Sequence, residues 1–454
     1  MAKEVVKKLA THKILQRKMQ KKQNKTSLIW FKNNLRIHDN KTLTNAINNS
    51  ETVIAVYCFD VREFEKDCFG FKKTEKYRAQ FLIETVTDLK KQLENIGIPL
   101  FVYNDYTEKS IANLNSIFNF DALYLQNEWT SEEETIYKQV CNIWNKGFPI
   151  YKEYDQFLYH PEDISFNIEE LPNVFTNFRK QLEKQSEIRK LQANKYLTKT
   201  HLVKNNTTIP SLENLGFNSF EPNKNSAFPL KGGETEALKH LNYYFFETKK
   251  LGFYKKTRNG LIGKDFSSKF SPWLANGSLS PRTIYWKVKE FEALHFKNQS
   301  TYWLIFELIW RDYFKYVSLK HKNNIFKIGG ILKKDYQWKT HQQDINKWIN
   351  GETKEPFVNA NMLELKKTGW MSNRGRQNVA SYFSKNLMLD WRIGAAYFES
   401  LLIDYDVHSN YGNWMYVSGV GNDPRDRTFN VKLQAQRYDT DGKYQRLWLQ
   451  DTLF

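Results

Sequence analysis

The sequence predicts two domains: an N-terminal α/β domain built on a doubly wound parallel sheet, then a C-terminal all-α domain. Three observations carry this. The 454 residues exceed what one hydrophobic core usually holds. In the first third, short apolar runs alternate with segments of helical period. From Gly232-Gly233-Glu234 onward strand signals vanish and helical periods follow one another.

Residues 1–26 are rich in Lys and nearly free of acids, with no apolar run behind them, so they are not a secretory signal. They read as a basic tail, with an organelle presequence as the alternative. Ser27-Leu28-Ile29-Trp30-Phe31 reads as a first, buried strand. A polar turn follows, and Asp39 or Asn40 is placed to cap a helix from Lys41. The second strand is 52–59. Phe81, Leu82, Val86, Leu89 and Leu93 recur at helical spacing over 75–96, and Gly97 stops that helix. Strands at 100–103 and 122–125 and one near Pro149-Ile150-Tyr151 alternate with helices at 107–117 and 131–146. This alternation is the doubly wound pattern, in which ligands lie beyond the strand C-termini. No G-x-G-x-x-G follows the first strand, which argues against an ordinary dinucleotide fold.

From 156 to 233 periodicity fades and prolines punctuate the chain, as in a connector draped over the surface, with one helix at 175–190. Helices are expected at 234–248, 280–294, 300–318, 341–350, 357–368, 374–385 and 392–404. The expected division is thus tail 1–26, α/β domain 27–155, connector 156–233 and helical domain 234–454.

Composition narrows the function. Lys and Arg outnumber Asp and Glu by 68 to 50, a net charge of +18, which favours a polyanionic partner, nucleic acid first. The Lys-codon bias of an AT-rich genome explains part of the excess. Phe, Trp and Tyr make up 15%, enough for stacking surfaces as well as core. No run of about eighteen apolar residues occurs, so no transmembrane span is expected. The 3 cysteines, Cys58, Cys68 and Cys141, have no metal-ligand spacing and suit a reducing cytosol. An iron–sulfur cluster, which takes about four Cys ligands, is ruled out in the C-terminal half.

Four stretches carry candidate chemistry. In Asp265-Phe266-Ser267-Ser268-Lys269-Phe270-Ser271-Pro272, hydroxyls, a lysine and a helix start form an anion site. Helix capping accounts for Ser271 alone, not for Ser267, Ser268 and Lys269 together. In Glu307-Leu308-Ile309-Trp310-Arg311, Glu307 and Arg311 share a helix face, and a plain ion pair is the simplest account. In Gly369-Trp370-Met371-Ser372-Asn373-Arg374-Gly375-Arg376-Gln377-Asn378, two arginines and three amides crowd a helix start. In Asp404-Tyr405-Asp406-Val407-His408-Ser409-Asn410-Tyr411-Gly412-Asn413-Trp414-Met415-Tyr416, two acids, an amide and aromatics serve no hydrophobic face and look like polar groups set around a planar ligand.

Together with Asp390-Trp391-Arg392, the order of these motifs resembles the photolyase/cryptochrome family over residues 27–454. Gln377 and Tyr416, Leu171-Pro172-Asn173-Val174-Phe175 and Thr257-Arg258-Asn259-Gly260 are similar to its DASH type. The resemblance implies an antenna domain and a helical FAD-binding domain. It implies that Tyr254, Ser267, Ser268, Lys269, Phe270 and Ser271 hold the pyrophosphate region. Arg311, Asn373 and Arg376 would surround the flavin and its linker, with Asp404 paired to Arg376, Asp406 on the flavin side and Asn410 facing N5. Trp414, Trp391 and Trp338 would relay electrons inward from the surface. Glu307, Trp310, Asn373, Gln377 and Tyr416 would line a lesion pocket, and Arg374 and Arg427 would contact phosphate.

The function so implied is blue-light repair of cyclobutane pyrimidine dimers, mainly in single-stranded DNA. Excited reduced flavin donates an electron to the dimer, the ring splits and the electron returns. Methenyltetrahydrofolate is the implied antenna, with Glu128 as its acid. A blue-light receptor with little or no repair is the alternative reading. An ordinary flavin oxidoreductase is disfavoured, because Gly419-Val420-Gly421 lacks the third glycine of a nicotinamide fingerprint. A cytoplasmic monomer with no membrane contact is expected.

Overall fold

The computed structural model describes residues 24–144, 147–193, 203–423 and 425–450. Most of the expected basic tail, residues 1–23, lies outside them. In the N-terminal domain β1 (Asn24–Trp30), α1 (Lys41–Asn49), β2 (Ser50–Cys58), α2 (Lys76–Asn95), β3 (Leu100–Tyr103), α3 (Thr107–Phe118), β4 (Ala122–Gln126), α4 (Ser131–Ile143) and β5 (Ile150–Glu153) alternate as the periodicity predicts. The five strands are all parallel, in the order β3-β2-β1-β4-β5. Strand order reverses between β1 and β4, which opens a crevice at their C-terminal ends. Leu28, Ile29, Ile54, Ala55, Val56, Leu123 and Tyr124 are almost fully buried, as strands covered on both faces must be.

β1 begins at Asn24, so the sheet includes three residues that the expected boundary assigns to the tail. The backbone pairing Asn24↔Ser50 lengthens a strand whose apolar signal starts only at Leu28. The connector also does more than drape. Thr207 Oγ1 accepts from Val102 N (2.9 Å) and Asn205 Nδ2 donates to Leu100 O (2.7 Å), so it covers the open edge of β3. Leu212, Leu215 and Phe217 join the core on that side of the sheet.

The helical part comprises α5 (Phe175–Gln185) in the connector, then α6 (Glu234–Asn242), α7 (Tyr254–Thr257), α8 (Ser271–Ala275), α9 (Pro281–Leu294) and α10 (Gln299–His321). It continues with α11 (Gln342–Asn350), α12 (Pro356–Thr368), α13 (Asn373–Ser381), α14 (Trp391–Leu401), α15 (Val407–Ser418), α16 (Val431–Tyr438) and α17 (Lys443–Leu449). Residues 243–247 and 382–386 continue α6 and α13 as wider π-type turns, which is where the sequence predicts unbroken helix. The short or polar helices α7, α8 and α15–α17 escape periodicity.

The two domains are clamped by the turn after β1. Of the two expected caps Asn40 takes the role, its side chain accepting from Leu43 N, while Asp155 accepts from Lys41 N and Thr42 N. Asp39, the other expected cap, has φ +50° and accepts instead from Ser280 Oγ (2.5 Å) and Arg282 Nε (2.9 Å) of the helical domain. Arg36 donates to Gly277 O at 2.8 Å. Gly277 itself has φ +70°, and a Cβ there would stand 1.9 Å from Asn33 O, so only glycine allows this approach.

Candidate cofactor and substrate site

The stretch 404–416 lies just after α14. It is a loop that enters α15, with Asp406 as the N-cap accepting from Ser409 N at 2.8 Å. Asp406, Asn410 and Trp414 are therefore spaced one turn apart and share a stripe of the helix. That stripe faces a cavity of about 90 Å³, lined by Asn373, Arg376 and Gln377 of α13, by Asp404, and by Asp406, Asn410 and Trp414. The apparent lack of a hydrophobic face in the sequence arises because the inward face of α15 is itself polar.

Ser372 caps α13 through Gly375 N (3.0 Å), which sets Arg376 one turn in. Its Nη2 meets both carboxylate oxygens of Asp404 at 2.8 and 2.9 Å. Asn410 Nδ2 donates to Ala395 O of α14 (3.0 Å), which fixes the amide and leaves its oxygen for another partner. Asp406 bonds Lys315 at 2.9 Å and lies 3.8 Å from Arg311. Burial by itself lifts this carboxyl, but Lys315, His408 and Arg311 more than offset it and hold it well below the usual range. Arg311 spends its other donors on Gln156 O and Leu274 O (both 2.7 Å). It thus props the wall, and it does not pair with Glu307 as helix spacing suggests. Glu307 pairs with Arg258 at 2.5 Å.

The phosphate-side residues lie apart from this cavity. Tyr254 and Ser268 are in hydrogen-bonding contact. Ser271 is exposed, whereas the Phe270 ring packs against His240, Tyr244 and Phe245, so its side chain belongs to the core. Lys269 adopts φ +56° and is 5% exposed. Its ammonium lies 4.6 Å over the Trp370 ring, with no hydrogen-bond acceptor among the described residues. Burial pushes it down to about 8, against the pull of Glu364. A buried cation awaiting an acceptor fits a diphosphate. Trp370 also lies under Arg376 (5.6 Å), joining this end to the Asp404 pair. In chemistry the residues present fit a flavin nucleotide, with Lys269 and Ser268 offering a cation and a hydroxyl at one end and the α13–α15 wall a compensated ion pair and an amide at the other.

The three tryptophans follow one line of elements. Trp414 is 2% exposed and lies on Gly394, where a Cβ would come within 2.2 Å of its ring. One turn earlier on α14 is Trp391, fully buried, with Nε1 donating to Ile328 O (2.9 Å). Trp338 precedes Lys339, which bridges Leu389 and accepts from Asp390 N (2.9 Å). Trp338 is half-buried, and Trp414 lines the cavity.

At the start of α13, Arg374 Nη1 donates to Gln377 Oε1 (2.7 Å) and Nη2 to Asn259 Oδ1 (3.2 Å). Arg427 Nη2 donates to the Tyr416 hydroxyl at 3.1 Å, and the Tyr416 ring stands edge-on to Trp310 with centroids 5.9 Å apart. Gln377 is shared, lining the cavity and touching Arg374.

A second, larger cavity of about 860 Å³ lies at the sheet crevice between the domains. Lys32, Asn33 and Glu128 line its sheet side, and Arg311, Lys315 and His408 its helical side. Glu128 is tied to Lys32 (3.4 Å) and Asn33 (3.1 Å). The notable residue that sequence reasoning missed is Glu133, whose Oε2 is sealed without a hydrogen-bond partner. Only the placement of α4 over the crevice reveals it. Burial, with the Glu128 carboxylate next, pushes Glu133 up to about 8. A raised folded pKa favours the protonated fold, so this contribution to stability is complete below the ordinary carboxylate range and is lost as pH rises through about 8. Glu133→Gln should therefore flatten the fall in melting temperature between about pH 5 and 8. A slope equal to that of the wild type would contradict the assignment.

Comparison with known proteins accords with this geometry. Residues 27–196 match the family described as DNA photolyase, and residues 303–452 match the FAD binding domain of DNA photolyase. A crystallised cryptochrome from Synechocystis is 44% identical, covering 94% of this chain and 88% of its own, with a TM-score of 0.89. A bacterial class III photolyase from Agrobacterium tumefaciens shares the fold at 24% identity and a TM-score of 0.79, covering 94% of this chain and 87% of its own. Fold and site together thus define a photolyase-type protein with a helical FAD-binding domain. Proteins named Cryptochrome DASH from Gloeobacter violaceus and Danio rerio are 45% and 44% identical over 94% of this chain, and over 85% and 83% of their own lengths. The chain belongs to the photolyase/cryptochrome family, as a DASH-type member. No described helix is long and apolar enough to cross a membrane.

Proposed function

We propose that this protein repairs cyclobutane pyrimidine dimers with blue light, preferring single-stranded DNA. The observation that carries the reading is Gln377. Its side chain lines the same cavity as Asp404, Asn410 and Trp414, and it also meets Arg374 at the start of α13. One residue thus separates the flavin side from the lesion side, as direct electron passage between them requires. When bound, FAD supplies the light absorption and the electron; the protein's own residues position, neutralise and shield. Arg376 and Asp404 offer compensated charge beside the ring, which avoids the cost of an isolated buried ion. Asn410 presents a fixed amide oxygen to it. Trp414, Trp391 and Trp338 form the path by which an external donor restores the reduced state.

Arg374 and Arg427 serve the DNA backbone, which sets position and not sequence. Trp310 and Tyr416 offer aromatic faces and edges to the bases. Extruding a base from a duplex costs a few kcal/mol, a cost absent in a single strand. Tyr416 and Arg427 are already engaged with each other, so the pocket holds little surplus with which to drive extrusion. Glu128 and the crevice cavity are proposed to take a folate-type antenna, and the division at 27–155, 156–233 and 234–454 separates antenna, connector and catalytic units. The same dimer is to be offered in a single strand and in its matched duplex under blue light. Faster repair in the single strand is expected; equal rates would sink the strand preference.

A further inference from the structure

The connector motif Leu171-Pro172-Asn173-Val174-Phe175 has no part in the flavin site, yet it reaches the lesion side. Phe175, the first residue of α5, is 6% exposed and stacks on Trp310 of α10 with ring centroids 3.6 Å apart and planes at 10°. Near-full overlap of this kind occupies one face of the indole. Tyr313 and Tyr416 hold the indole edge-on, at 78° and 88°, and Phe314 lies tilted against it at 32° with centroids 5.6 Å apart, so none of the three stacks in parallel on the remaining face. Trp310 is nevertheless only partly buried. The backbone just before Phe175 is anchored twice: Asn173 O accepts from the Tyr313 hydroxyl and from Asn422 Nδ2 (3.1 Å). Asn422 begins the loop that carries Asp423 and Arg427, and Arg427 holds Tyr416. The connector, α10 and this loop therefore meet around a single indole.

We infer that Phe175 is a positioning residue for lesion binding: it backs Trp310, so that the indole offers one fixed face to a stacked pyrimidine. The inference rests on the repair reading above and adds to it a residue from outside the helical domain. Without the phenyl backing, the indole gains freedom that a stacked base must remove again on binding. An undamaged single strand, held chiefly through its phosphates, does not depend on that face being fixed.

The test uses full-length holoprotein as wild type, Phe175→Ala, Phe175→Tyr and Trp310→Phe. Binding of oligothymidine with and without one dimer is measured, with flavin content and near-ultraviolet circular dichroism as controls. Phe175→Ala should weaken dimer binding by roughly a factor of 2 to 10, the worth of one aromatic pair. It should leave undamaged-strand binding and flavin content unchanged, and Phe175→Tyr should restore dimer binding. Equal loss for both strands, or no rescue by tyrosine, would reduce Phe175 to a core residue and overturn the proposal. If the wild type does not discriminate dimers at all, the repair reading fails by itself. The dichroic band that Trp310→Phe removes then decides the positioning role. Its loss in Phe175→Ala and retention in Phe175→Tyr support that role, and its persistence in Phe175→Ala overturns it.

Discussion

Asp404→Ala is expected to leave the protein folded but depleted of FAD. Asp404 has a side chain 2% exposed, and its ion-pair partner among the described residues is Arg376, 25% exposed. Removing the acid leaves a guanidinium that faces the cavity without its ion-pair partner, with the Met371 carbonyl and the Glu364 carboxyl as its remaining neighbours. Breaking a buried pair in this way costs about 3–5 kcal/mol, and water access to Arg376 puts the expected value at the lower end. In a chain of this length that lowers the melting temperature by several degrees. The flavin loses more, because Arg376 also lies over Trp370, which backs Lys269 at the far end of the site. The ratio of flavin to protein absorbance after purification measures the effect, with thermal denaturation beside it. Asp404→Asn, which keeps shape and one acceptor, should fall between the two. Full FAD retention in Asp404→Ala would remove this ion pair from the cofactor site.

Trp391→Phe is expected to separate two activities that share one flavin. Trp391 is fully buried on α14, one turn before the glycine on which Trp414 lies, and its Nε1 is held by Ile328 O. Phenylalanine keeps an aromatic ring there but is smaller and leaves Ile328 O without its donor, so a cost of about 1–3 kcal/mol is expected. It is far harder to oxidise than indole, so the inward relay from Trp338 is broken. Blue light with an external thiol should then fail to reduce the bound flavin, as followed by its visible absorption. Blue-light repair by protein reduced chemically beforehand should persist, since the residues proposed to line the lesion pocket, Trp310 and Tyr416, are not members of the proposed relay. Normal photoreduction in this variant would exclude Trp391 from the path.

Much of the fold is legible in the sequence. Runs such as Leu28-Ile29-Trp30 and Val53-Ile54-Ala55-Val56 announce strands buried on both faces, and the sheet follows. The limits lie where tertiary contact overrides local pattern. Asn24 joins β1 only because Ser50 is there to pair with it. Asp39 forgoes a cap to reach Ser280 and Arg282, some 240 residues away. At the site, motif order brought Asp404, Asp406, Asn410, Trp414 and Arg376 together, and the structure gathers all five on one cavity. What spacing could not give was partnership. Glu307 prefers Arg258 to the nearer-in-sequence Arg311, and the aromatic back of Trp310 comes from a connector helix more than a hundred residues upstream. Glu133 is one acid among three in a row, and only α4's position over the crevice singles it out.

One wall of helices is proposed to pass an electron between flavin and a bound dimer. The most direct measurement is the recovery of intact thymine in a dimer-containing oligothymidine, using photoreduced holoprotein under blue light with a dark control. The account predicts light-dependent recovery that continues through many turnovers without consuming the external donor. Absence of recovery by fully reduced, FAD-loaded protein that still binds the oligonucleotide would contradict it, and would leave light reception as the function of the same flavin and tryptophan relay.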